Sequence, residues 1–400
     1  MNVAILGAGP AGLTAAHEIL SRTDWPVTIF EESDAVGGIS RTVQHGRGRW
    51  DIGGHRFHTT HPRVQALWSD LLPHMQRVER KSSILHGGDL YDYPIKFTLG
   101  TLRKFGVRNA IEASLGLACA RLRPRKEDTL ENYFINSFGK PLYERFFRDY
   151  TKKLWGYSAA NLPATWGRER TRGLSLKQLR EGTGTAYSEF LYPRRGAGTM
   201  FTRLANKLAG MGCVFKRNTK ITERPDFDLV FSSIPLTDLY PDLLLEYRDF
   251  ILVGLLANGS AMEREQWIYV QDDHIEMGRI QLTHNWSRAM CPERGIACEY
   301  FCNEGDKLWS ADDDWLIAFA RIELRAIGMM GKHDEVYDPV VIRQKKAYPS
   351  YACGRAPIEE AHRRAKEDNI HLIGRNGRHV YANMDDAMLS AMEAVDEVLK

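Results

Sequence analysis

The chain has 400 residues, and 54 Lys+Arg against 51 Asp+Glu leave a formal charge of +3. Hydrophobic residues at 43% and charged residues at 26% describe a globular chain with a large core, which excludes disorder, collagen-like repeats and a disulfide framework. The near balance of charge argues against a dedicated nucleic-acid binder, which shows a strongly basic domain.

The chain opens on a short apolar strand, Val3–Leu6, that runs into Gly7-Ala8-Gly9-Pro10-Ala11-Gly12 and then a helical pattern, Leu13 to Leu20. The N-terminus lacks a charged n-region and a cleavage site, so a first strand is expected rather than a signal peptide. A second strand, Val27–Phe30, ends at Glu31, completing a βαβ start in about thirty residues. From about Phe97 to Leu191 the sequence reads as helices rich in Arg, Lys and aromatic residues. A helix over Gly198–Leu208 and a strand Val214–Lys216 follow, then a buried strand within Asp228–Pro235. Strands are expected at Ile251–Leu256, Arg279–Leu282 and Ala297–Phe301, and an amphipathic helix at Asp313–Ile327. A strand Ile370–Ile373 runs into Gly374-Arg375-Asn376-Gly377, and a helix from about Asp385 to Leu399 closes the chain. No segment reaches the roughly 18 apolar residues of a membrane span.

Gly7-x-Gly9-x-x-Gly12 between a strand and a helix is a dinucleotide fingerprint. Gly7 allows the tight turn, Gly9 lets backbone approach a pyrophosphate, and Gly12 lets helix and strand pack closely. The helix N-terminus, with Pro10 and Ala11, offers positive dipole to the anion. Glu31 is placed to accept from ribose hydroxyls, and Glu32 adjoins it. A second glycine run, Gly37-Gly38 and Gly53-Gly54, with Arg41 between, indicates a ligand long enough to need further close backbone approaches. FAD fits that better than NAD.

Six cysteines (Cys119, Cys213, Cys291, Cys298, Cys302, Cys353) include no C-x-x-C, and Cys298 with Cys302 lacks the second ligand pair a zinc site needs. Buried reduced thiols are expected, which suits a cytoplasmic protein, and no metal is expected. Asp312-Asp313-Asp314 reads as a helix start. The basic run Arg121 to Lys126 reads as a solvated helix end, with a membrane-surface role as its alternative.

The glycine fingerprint, Glu31, Gly37-Gly38 and Gly374-Arg375 resemble the FAD-binding superfamily of amine oxidases and protoporphyrinogen oxidase. Within it the chain resembles the UDP-galactopyranose mutases and mutase-like oxidoreductases. The motifs are Gly54-His55-Arg56-Phe57-His58-Thr59, Tyr150-Thr151-Lys152-Lys153-Leu154-Trp155-Gly156, Gly278-Arg279, and Gly374-Arg375-Asn376-Gly377 through Tyr381-Ala382-Asn383-Met384-Asp385. They span nearly the whole chain.

The resemblance implies an α/β fold, a Rossmann-like FAD-binding domain with an inserted helical domain and an inserted antiparallel β-sheet. The expected partition is 1–80, 195–240 and 355–400 for the discontinuous FAD domain, 81–194 for a mainly helical substrate domain, and 241–354 for a sheet domain with one helix. His55 and His58 would lie against the flavin, with Gly53, Gly54, Ile221, Gly374, Asn383 and Met384 also touching the cofactor. Tyr150 and Trp155 would meet the nucleotide end of a sugar-nucleotide substrate. Arg279, with Arg168, Arg170 or Arg172, would pin its diphosphate, because guanidinium forks suit phosphate oxygens. Tyr381 would bond phosphate, and Tyr348 could add a hydroxyl or be a buried tyrosine at a turn. Gly374-Arg375 should begin a helix facing the flavin, so that Arg375 and the helix support reduced-ring charge. The mutases carry Asp where this chain has Asn383, which points to a different sugar.

The activity so implied is redox-neutral pyranose/furanose isomerisation of a nucleotide sugar, in which reduced FAD attacks the anomeric carbon through N5 and displaces the diphosphate. NAD(P)H would serve only as a transient reductant, since no second dinucleotide fingerprint is visible. The alternative is a true FAD-dependent oxidoreductase acting on an amine or alcohol. Related mutases also suggest a homodimer.

Overall fold

A computed structural model describes residues 1–93, 103–165, 167, 188–259 and 263–400. The opening strand Val3–Leu6 is buried along all four residues, as a central parallel strand covered on both faces must be. It pairs in parallel with Val27–Phe30 on one side and Leu229–Ser232 on the other. Ile370–Leu372 and Val214–Lys216 complete a five-stranded parallel sheet as its outer strands. Side-chain alternation divides the core. Val3 and Ile5 pack with the helices Pro10–Leu20 and Met384–Val398, whereas Ala4 and Leu6 pack with Ala361 and Ala365 of the helix Ala356–Glu367.

A second sheet has seven strands in the order Val336–Pro349, Tyr247–Ala257, Arg294–Cys302, Arg279–Leu282, Trp267–Val270, Ser82–His86, Asp89–Asp92. Its pairs are antiparallel apart from Trp267–Val270 with Ser82–His86, so the expected antiparallel sheet is mixed at one step. Leu316, Ala320 and Leu324 of the helix Asp313–Ala326 cover one face. Leu252, Leu256, Ala297 and Phe301 on the other face join the main core. Asp312 caps that helix by accepting from the Trp315 amide at 2.7 Å, which accounts for the acidic run.

The segment expected to be helical, 81–194, does contain the helices Val107–Leu122, Leu130–Phe138, Lys140–Phe146 and Arg148–Trp155. It also gives two strands to the seven-stranded sheet, a hairpin turning on Gly87-Gly88 with φ of +62° and +80°. A third strand, Glu189–Tyr192, pairs with Gln76–Glu79. Tyr348 lies on the strand Val336–Pro349 and not at a turn. Cys213, Cys291, Cys298 and Cys302 are buried free thiols and Cys353 is half-buried, but Cys119 is exposed. Among the described residues no helix is long and apolar enough to cross a membrane.

Candidate active site

Two cavities of about 400 and 570 Å³ adjoin at the carboxyl ends of the parallel strands and share Ile39, His55, Arg375, Asn383 and Met384 as walls. This is where ligands bind in open α/β sheets.

The first cavity is built by the opening turn. Gly7 has φ +95°, and a Cβ there would meet Ser233 Oγ at 2.5 Å. A Cβ on Gly12 would fall 1.9 Å from the Gly7 carbonyl oxygen, so only glycine lets the helix Pro10–Leu20 sit this close to its strand. Gly9 and Gly38 (φ +52°) approach one another, with a Cβ on Gly38 only 3.4 Å from Gly9 Cα. No side chain caps the helix and no acid lies in its first turn, so its amides face an anion without competition. Glu31 accepts from the Ala8 amide at 2.8 Å and from the Ser33 amide and hydroxyl at 3.0 and 2.8 Å, which fixes its carboxylate at the cavity wall. Pro10, Ala11, Glu32, Arg41, Ile221 and Gly374 line the same cavity. Burial holds the pKa of Arg41 down, and its Nη1 donates to the Gly38 carbonyl at 3.2 Å. A narrow glycine cradle, an uncapped helix start and a carboxylate on the next strand have the form of a dinucleotide site, and the second cavity adjoins it.

The second cavity is walled by Gly53, Gly54, Arg56, His58, Tyr269, Arg279, Tyr348 and Tyr381. A Cβ on Gly54 would fall 2.0 Å from the Trp267 ring, so this glycine lets the chain pass an aromatic wall. Arg279 is buried and donates from Nε to Glu299 at 2.6 Å and from Nη2 to the Tyr348 hydroxyl at 2.7 Å. Burial disfavours its charge, but Glu299 beside it prevails and raises its pKa well above the ordinary value. Trp267 and Phe301 flank the guanidinium, with ring centres 4.9 and 4.7 Å from Cζ.

Arg375 differs from Arg279 in its partners. Its Nε and Nη2 donate to the Ala382 carbonyl at 2.8 and 2.5 Å and its Nη1 to Ala347 at 3.1 Å; among the described residues no carboxylate pairs with it. It lies over Tyr381 and Tyr348, which stack at 6.4 Å and 9°. The junction of the cavities therefore carries a cation that is held by backbone carbonyls. Beside it His55 is held neutral: burial, then the Arg375 and Arg279 cations, push its pKa down to about 3.

Three expectations change in detail. The helical turn at Gly374–Gly377 is only four residues long, and the long helix begins at Met384. Gly374 is needed at φ +70°, where a Cβ would lie 2.8 Å from Ala11 Cβ. Asn383 is the N-cap of the long helix, in a reciprocal box with Asp386, so its side-chain oxygen is engaged by the backbone as well as facing the cavity. Trp155 is buried behind Tyr348, ring centres 6.4 Å apart, and Tyr150 packs edge-on to Tyr269 at 5.4 Å; neither lines the two cavities. Arg168, Arg170 and Arg172 lie outside the described residues.

Sequence reasoning assigned no role to Arg56, Trp267 or Tyr269. Arg56 donates to Ser82 at 2.9 Å amid Phe190, Trp267 and Trp286. The signal available was the alternation Trp267-x-Tyr269, which places both rings on one face of a strand.

Comparison with known proteins agrees with this fold. Residues 5–71 match the family model of an NAD(P)-binding Rossmann-like domain. The chain is 27% identical to a Klebsiella pneumoniae protein described as "Probable UDP-galactopyranose mutase", over 100% of this chain and 94% of that one. It is 24% identical to the Escherichia coli dTDP-fucopyranose mutase over 41% of this chain and 44% of that one. The crystal structure of a reduced UDP-galactopyranose mutase superposes with a TM-score of 0.86 at 20% identity, covering 100% of this chain and 93% of that one. Over its whole length the chain is similar to that probable UDP-galactopyranose mutase, and it has the mixed α/β fold of the reduced mutase structure.

Proposed function

We propose that the protein is an FAD-dependent mutase that interconverts ring forms of a nucleotide sugar without net redox change. The observation that carries this is Arg375, a cation with no carboxylate partner among the described residues, set with the Tyr348 and Tyr381 rings where a dinucleotide cradle opens into a second polar cavity. Similarity to two sugar-nucleotide mutases supports the substrate class.

Gly7, Gly9, Gly12 and Gly38 would hold the FAD pyrophosphate, with Glu31 at the ribose and Gly53, Gly54 and His55 along the remaining length. When bound in its reduced form, the flavin supplies a nucleophile for the anomeric carbon.

The chain's own residues bind, orient and keep charge. Arg375 attracts the substrate diphosphate, Arg279, its charge offset by Glu299, orients the Tyr348 hydroxyl, and the Tyr381 and Tyr348 hydroxyls hydrogen-bond the diphosphate. Holding the departed diphosphate close makes its return effectively unimolecular. Neutral His55 adds no competing cation. Trp155 and Tyr150 back the Tyr348 and Tyr269 walls and act through them.

The test is conversion of UDP-galactose and of dTDP-sugars by purified protein, with and without dithionite. Product that appears only after reduction supports the mutase. Hydrogen peroxide released by oxidised protein with no isomer formed would replace it with the oxidoreductase reading.

A further inference from the structure

The helix Val107–Leu122 is packed inside out. Its inward face is made of small residues: Ala113 and Ala120 are buried, and a Cβ on Gly116 would lie 2.3 Å from the Pro141 ring. Four of its five large apolar side chains point outward, Val107, Ile111, Leu115 and Leu122 being 77%, 55%, 66% and 82% exposed, while Leu117 is half-buried. At 100° per residue these four fall within a sector of about 80°, a continuous stripe rather than scattered exposures. Arg108 lies on one flank of the stripe and Arg121 on the other.

Charge is concentrated at the same place. Residues 103–126 contain seven cations (Arg103, Lys104, Arg108, Arg121, Arg123, Arg125 and Lys126) and one acid, Glu112, in a chain whose total is only +3. Glu112 is paired with Arg108 at 3.0 Å. The cations cluster at both ends of the stripe.

We propose that this face docks on an anionic lipid surface, the helix lying in the interface with its four apolar side chains inserted and its two basic ends on headgroups. A second copy of the chain is a poorer occupant. Parallel or antiparallel, two such helices would set a basic end against a basic end. The helix has 16 residues, which suits a surface helix and not a span. One such helix gives weak, reversible binding. This inference stands independently of the activity proposed above.

The test is co-sedimentation of the intact flavin-loaded protein with phosphatidylcholine vesicles, with and without phosphatidylglycerol. Binding is expected only with the anionic lipid, and it should weaken in high salt. The pairs Ile111→Glu/Leu115→Glu and Arg121→Glu/Arg123→Glu should each lower the partition coefficient at least about tenfold. These positions are exposed, so flavin absorbance should be unchanged, which separates lost docking from lost fold. In Leu115→Trp, the fluorescence should shift to the blue on anionic vesicles. Failure of the native protein to bind anionic vesicles, or equal binding by the charge-reversed pair, would overturn the proposal. A native dimer made monomeric by Ile111→Glu/Leu115→Glu, without lipid binding, would show instead that copies of the chain cover the stripe.

Discussion

Arg279 and Glu299 stand directly opposite one another on adjacent antiparallel strands, with Nε 2.6 Å from Oε2 and Glu299 fully buried. The strand register makes the pair, and Tyr348 accepts a second hydrogen bond from the same guanidinium. Removing one member of a buried pair leaves the other charge uncompensated. Glu299→Ala should therefore cost about 3–5 kcal/mol in urea unfolding. A loss below about 1 kcal/mol would mean that solvent reaches the guanidinium and the pair is not structural.

Tyr348→Phe removes the hydroxyl while keeping the ring over Arg375. The flavin spectrum should be unchanged, and the Kd for a nucleotide sugar should rise about tenfold, the worth of a hydrogen bond to a charged group. Titration calorimetry would measure it, and an unaltered Kd would remove Tyr348 from the substrate side.

Glycine substitutions separate the cradle from ordinary turns. Gly12→Ala forces a Cβ to within 1.9 Å of the Gly7 carbonyl, so the turn must open and the purified protein should lose its flavin colour. Gly210→Ala meets nothing within 4 Å at the end of the helix Gly198–Gly210 and should be neutral or stabilising by about 0.5–1 kcal/mol. Absorbance at equal protein concentration distinguishes the two.

Asn383 should reveal two roles in two measurements. Asn383→Ala loses the cap and should destabilise by about 1 kcal/mol. Asn383→Asp keeps the cap, so Tm should move little, but it places a negative charge on the wall shared by both cavities. Relative kcat/KM for different nucleotide sugars should then change while stability does not.

Asp51 supplies a pH signature. Burial raises its pKa to about 6, although Thr42 and Tyr192, each at 2.5 Å, and the Ala197 amide hydrogen-bond the charged form. A carboxyl whose folded pKa exceeds its unfolded value contributes stability at low pH and loses it as pH rises through the folded pKa. His55, lowered to about 3, has the opposite sign: its contribution is full above pH 6.5 and falls as pH drops. The two slopes oppose each other between pH 4 and 6 in the native protein. The stability difference between native protein and Asp51→Asn should therefore fall by about 3 kcal/mol at most from pH 4 to 6. A flat difference would mean that Asp51 titrates normally.

Parts of the fold were legible because they are local. The strand Arg279–Leu282 has the bounds its polar/apolar alternation implies, and the helix Asp313–Ala326 starts where its acids do. The strand Val336–Pro349 escaped because Pro339 and four charged residues interrupt its pattern, and Asp338 and Lys346 adopt positive φ at its irregularities. Proline is admissible there because the strand is at the sheet edge. The hairpin at Gly87-Gly88 carried a turn signal that the helical texture around it obscured.

By itself the sequence determined where backbone must turn sharply or pass close to its neighbours, because only glycine tolerates those conformations and contacts and its spacing is written along the chain: Gly7, Gly12, Gly38, Gly53, Gly54 and Gly374. The tertiary structure alone decided which charges survive in the site. Arg279 is paired with Glu299 and Arg375 is held by backbone carbonyls, yet both read as arginine; the difference arises from strand register and from which residues line the neighbouring wall. Electrostatic environment is set by distances between residues remote in the chain, and such distances exist only once the chain has folded.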